Sequence, residues 1–136
     1  MPVIKEDFAR LQIVNNEMMR KIFEDQVLDY RHISESIAEI RKRASRLREN
    51  LMLPVPENGE KSLKLSDAPT TTQVKDSLLT LDNLIMSFVR NPLFQQPGVV
   101  DAKHSARAGS DLKTIIEFSG GIRKEIEWLS KLSDKH

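Results

Sequence analysis

The chain has 136 residues, with 21 Lys and Arg against 20 Asp and Glu, and a formal net charge of +1. That length builds a single domain, 1–136, and that balance excludes a whole-surface basic field as the driver of nucleic-acid binding. With no Cys, disulfides, thiolate chemistry and Cys-containing metal sites are excluded.

At the N-terminus, charges at Lys5, Glu6, Asp7 and Arg10 break up the apolar residues that a signal-peptide core would need. No window approaches the roughly 18 uninterrupted apolar residues of a spanning helix. A cytoplasmic protein without membrane insertion is expected.

Residues 5–52 contain neither Gly nor Pro. Apolar positions recur from Phe8 through Leu11, Met19, Phe23, Tyr30, Ile33, Ile37, Ile40, Ala44 and Leu47 to Leu51. Asn15 and Gln26 fill the two polar positions of the series. Twelve steps over 43 residues give about 3.6 per step, the period of one helix face. From 33 to 51 the steps alternate four and three, as in a coiled-coil seam. A continuous helix here would be about 70 Å long at 1.5 Å per residue. A compact chain of this size is only about 35–40 Å across. Two arrangements follow. Either the helix breaks near 28–34 into an antiparallel pair, or it stays a rod and buries its far end, 33–51, against another copy.

Pro54, Pro56, Asn58-Gly59 and Pro69 mark a linker at 53–69, long for a hairpin loop, with room for a short strand at 61–65. Thr70 with Gln73 fits a capping box, with Thr71 or Thr72 as rival caps, ahead of a helix at 72–90, whose stripe is Val74, Leu78, Leu81, Ile85 and Phe88. Asn91-Pro92 stops that helix, and Pro97-Gly98 is a turn. Residues 91–109 read as a loop, with Asp101 available to cap a short helix. Leu93 and Phe94 are expected to plug one end of a bundle, the alternative being an exposed docking spot. Ser110 or Asp111 caps a last helix, 110–133, with Leu112, Ile115, Phe118, Ile122, Ile126, Leu129 and Leu132 on one face. Trp128 flanks that stripe and reads as core or interface. Gly120-Gly121 costs this helix roughly 2 kcal/mol relative to alanine, yet the stripe resumes in phase beyond it. A close helix crossing is the favoured explanation for the pair, a functional hinge the alternative.

Chemistry is sparse. Asp25, Asp29 and His32 fall at i, i+4 and i+7, but a bundle metal centre needs Glu-x-x-His pairs on two helices. His104 and His136 have no metal-binding context. No nucleophile elbow, glycine-rich phosphate loop or Walker motif is present. No catalytic residue, metal or cofactor is assigned. The densest feature is basic: Arg41, Lys42, Arg43, Arg46 and Arg48, wrapped around a helix edge made by Ile40, Ala44 and Leu47. Residues 1–52 hold 10 basic and 9 acidic groups, so this cluster is offset by acids elsewhere, including Glu39 four residues before Arg43.

The expected fold is an all-α antiparallel bundle of three or four helices. The expected function is a protein–protein interaction module (an adaptor, scaffold or regulatory subunit) that self-associates as a dimer or larger. Arg41 to Arg48, with Leu93 and Phe94, form its candidate surface. A helical nucleic-acid binder using 41–48 is the first rival. A small helical enzyme or metal carrier centred on Asp25, Asp29 and His32 is the second.

Overall fold

The computed structural model describes residues 2–24, 27–54, 68–95 and 102–134. They form five helices: α1 (Pro2–Glu24), α2 (Tyr30–Leu51), α3 (Thr71–Val89), the single turn α4 (Pro92–Gln95) and α5 (Ala102–Asp134). No strand occurs among the described residues. The protein is an all-α bundle of four long helices.

Residues 5–52 adopt the helix pair rather than the rod. α1 ends at Glu24, and α2 starts after Asp29, whose carboxylate accepts the His32 backbone N–H at 3.1 Å. Lys21 of α1 holds the other carboxylate oxygen of Asp29 at 3.1 Å. One aspartate thus caps α2 and ties it back to α1. Those two hydrogen bonds, His32 first, hold the Asp29 carboxyl below its ordinary value. Asp25 and Gln26 lie outside the described residues, as do 55–67, 96–101 and His136. The expected 61–65 strand, the Pro97-Gly98 turn and the Asp101 cap therefore fall outside them too.

The Thr70–Gln73 capping box forms as expected, with Thr70 accepting at 3.1 Å and Gln73 at 2.9 Å. The last helix departs from expectation. It begins at Ala102, not near Ser110, and runs for 33 residues. Ala102, Ala106 and Ala108 favour helix, and Gly109 lies inside it instead of stopping it. Ser110 and Asp111 are therefore mid-helix and cap nothing.

Contacts fix the arrangement. Asp7 meets Arg43 and Lys21 meets Asp29, so α1 and α2 are antiparallel. Phe8 packs on Phe88, and Asn15 donates to Asp82 at 2.7 Å, so α1 and α3 are antiparallel. Ser87 donates to Asp111 and Asn91 to the His104 carbonyl, so α3 and α5 are antiparallel. Gly120 lies by Arg41 and Gly109 by Pro54, so α2 and α5 are antiparallel. The neighbours around the bundle are α1, α2, α5 and α3 in that order. Helix α2 thus ends beside the start of α1, while α3 starts at the opposite end. The connection from Pro54 to Ala68 joins opposite ends of the bundle, which is why it exceeds a hairpin loop.

Leu11, Met18, Ile37, Ile40, Leu47, Leu78, Leu81, Ile85, Leu112 and Ile115 form the centre of a single core. The 33–51 seam is filled from within the chain: Ile33, Ile37, Ile40, Ala44 and Leu47 are buried and Leu51 is partly buried, with α2 packed on α1 and α5. The seam therefore offers no free face to a second copy.

The close approach expected at the Gly120-Gly121 pair is not found at Gly120; it occurs at Gly109. A Cβ on Gly109 would collide with the Pro54 carbonyl oxygen and crowd the Leu53 side chain at 3.3 Å. A Cβ on Gly120 would meet the Arg41 guanidinium at an ordinary 3.5 Å. Gly109→Ala is expected to cost about 1–3 kcal/mol from overpacking. Gly120→Ala is expected to add about 1 kcal/mol from helix propensity. Urea unfolding of the two variants should move in opposite directions. A gain for both would place Gly109 away from Pro54.

Candidate functional site

The basic segment occupies the second half of α2, and it divides. Arg43 turns inward, its side chain only 13% exposed, and donates to Asp7 at 2.8 Å. Asp7 is fully buried, at 0% exposure. Arg46 Nε approaches the other oxygen of Asp7 to 3.2 Å. That approach is an ion pair without hydrogen-bond alignment, so this oxygen has no directed donor. Glu39 pairs with Arg43 at 3.3 Å and with Arg10 at 3.4 Å, and Glu6 reaches Arg43 at 3.7 Å. Three cations and three carboxylates therefore lace α1 to α2. The hydrogen bond to Asp7 raises Arg43 above its ordinary pKa despite burial, and Glu39 adds to that rise.

Arg41, Lys42 and Arg48 are exposed. Arg41 lies over Gly120 of α5. These three make no ion pair with the described residues. Of the five expected surface cations, two are thus paired with Asp7 and three face solvent. The expected Glu39–Arg43 pair forms.

Asp7 is the residue that composition and charge counting miss. The signal was its place in a stripe. Positions 7, 11, 14, 18 and 22 share one face of α1, and Leu11, Val14, Met18 and Ile22 are all buried. An acid heading an apolar face needs a buried cation, and Arg43 supplies it.

Leu93 and Phe94 pack against the core rather than standing out as a docking spot. The Phe94 ring lies 4.9 Å from Phe88 and 5.1 Å from Phe8, and Phe8 lies 5.9 Å from Phe88. The three tilted rings close the end of the bundle where α1 starts and α3 ends. Phe23 goes the other way. Expected on an inner face, it is 72% exposed. Met18 and Ile22 hold the core side of α1, and their face rotates Phe23 outward one residue before the helix ends.

Among the described residues, four of the eight exposed large apolar side chains lie toward the other end of the bundle. Val27 is 79% exposed beside Phe23, at the α1–α2 turn. Helices α1 and α5 run parallel across the diagonal, so the C-terminal turns of α5 reach the same end. There Leu132 is 44% and Trp128 39% exposed.

Of the Asp25, Asp29 and His32 set, Asp25 lies outside the described residues, and Asp29 is spent on capping α2 through the His32 N–H. Among the described residues, no group of three or more metal-binding side chains comes together. No helix among them is long and apolar enough to cross a membrane. No known protein family, curated protein or solved structure matches the chain.

Proposed function

We propose that the chain is a protein–protein interaction module, acting in the cytoplasm, that associates with a second copy. The surface assigned to this is the bundle end bearing Phe23, Val27, Trp128 and Leu132. The carrying observation is the exposure of Phe23 and Val27 on a chain that buries its other apolar stripes well. Exposed aromatic and aliphatic side chains are the usual anchors of protein interfaces. A second copy is the favoured partner on charge grounds. This end carries Lys21, Arg31 and Lys131 together with Glu24, Asp29 and Glu35. With both signs interspersed, two like ends can meet about a two-fold axis without net repulsion.

The nucleic-acid reading has less support. Arg43 and Arg46 are engaged by Asp7, which leaves three solvent-facing cations on that segment to neutralise phosphates.

Sedimentation over a range of concentrations tests the reading. The wild-type mass is expected to rise from 15.6 kDa toward twice that value. Phe23→Glu combined with Val27→Glu is expected to hold the protein at the monomer mass. Both positions face solvent, so the bundle should stay folded by circular dichroism. A wild type that remains at 15.6 kDa throughout overturns self-association.

A further inference from the structure

Far from that end, the last turns of α3 and the first turns of α5 enclose a groove of about 500 Å³. Asn83, Ser87 and Arg90 line it from α3, and His104 and Arg107 from α5, with Asn91 at the corner between them. On α3 the spacing 83, 87, 90 is i, i+4, i+7, and on α5 the spacing 104, 107 is i, i+3. Each set lies on one helix face, and the antiparallel packing sets the two polar faces opposite one another.

Its two arginines have no carboxylate oxygen within salt-bridge distance among the described residues. Arg10, Arg31, Arg43, Arg46 and Arg123 each have a carboxylate oxygen within salt-bridge distance. The side chains of Arg90 and Arg107 make no ion pair or hydrogen bond with the described residues. The nearby acid, Asp111, is half-buried and accepts the Ser87 hydroxyl at 3.1 Å. Burial holds its carboxyl above the ordinary value, against the opposing pulls of Ser87 and then Arg107. The wall itself is braced. Asn91 is buried, donates to the His104 carbonyl at 2.9 Å, and accepts the Leu93 N–H at 2.9 Å. One side chain thus pins α3, α4 and α5 together and fixes the groove before any ligand arrives.

We propose that this groove binds a small phosphorylated molecule. The phosphate sits between the Arg90 and Arg107 guanidinium groups, and hydroxyls of the ligand pair with Asn83 and Ser87. Two guanidinium forks suit a dianion with three equivalent oxygens. The volume suits a small metabolite. A polymeric nucleic acid would need a longer basic track than two arginines in a concavity. This site is independent of the self-association surface, which lies at the opposite end.

The test is titration of the ¹⁵N-labelled full chain in phosphate-free buffer with glucose 6-phosphate, adenosine monophosphate, inorganic phosphate and glucose. Saturable shifts are expected at Ser87, Arg90, His104 and Arg107 with at least one phosphate compound, and none with glucose. Arg90→Gln and Arg107→Gln are each expected to weaken that binding about tenfold. Both side chains are exposed, so the variants should fold, and their unshifted resonances report it. Arg20→Gln, on the exposed face of α1, is expected to leave the affinity unchanged. Absence of saturable shifts with all three phosphates at millimolar concentration overturns the proposal. So does binding that the Arg90 and Arg107 variants leave intact.

Discussion

Asp7→Ala is expected to destabilise the protein by about 3 kcal/mol, the largest loss from any charged position. The carboxylate is fully buried and faces two arginines, one of them almost as buried. Removing one partner of a buried pair leaves the other charge desolvated, which costs about 3–5 kcal/mol. The lower figure applies because Glu39 and Glu6 still reach Arg43, and Arg46 is 37% exposed and can turn to water. Urea unfolding at neutral pH measures it. Asp7→Leu combined with Arg43→Met removes both buried charges together and is expected to return stability to within about 1 kcal/mol of wild type. Single and double variants with equal losses would falsify a charge-pair origin and point to packing alone.

Phe88→Ala is expected to cost about 3–5 kcal/mol. Its ring is fully buried and touches both Phe8 and Phe94, so truncation opens a cavity and removes two aromatic contacts. Phe94→Ala should cost less, about 1–2 kcal/mol, because that ring is only half-buried and water can replace part of it. The check is the order of the two thermal midpoints. A larger drop for Phe94 would mean that the end of the bundle depends on α4 rather than on α3.

Much of this fold can be read from apolar spacing, because each long helix carries its own stripe. Thr70 with Gln73, and Asn91 with Pro92, mark their helix ends through local chemistry alone. The turn after Glu24 is different. No breaker stands there, and the apolar period passes straight through it. What stabilises the break is Asp29 as a cap, joined to Lys21 eight residues earlier, a pairing that exists only once the chain has reversed. Gly109 misleads for the same reason. It falls in the stretch that reads as a loop, but it is helical, and its small size admits the Pro54 carbonyl from a segment 55 residues away.

The candidate sites were legible only in part. Arg43 and Arg46 look like solvent-facing charges until α1 lies alongside and brings Asp7 to them. The polar faces of α3 and α5 each resemble an ordinary wetted surface. Only their juxtaposition makes a groove.

The long connection between Pro54 and Ala68 has a consequence for assembly. The helices α1 and α2 form one local hairpin, and α3 and α5 form another. Their short connections close quickly, since local contacts cost little loop entropy. The apolar faces left over are buried only when the two hairpins dock, through α1 on α3 and α2 on α5. The protein is in this sense a heterodimer of its own halves, and the tether sets their effective concentration. Severed between 54 and 68, the same interface would become a bimolecular equilibrium, and the stability of the core would depend on dilution.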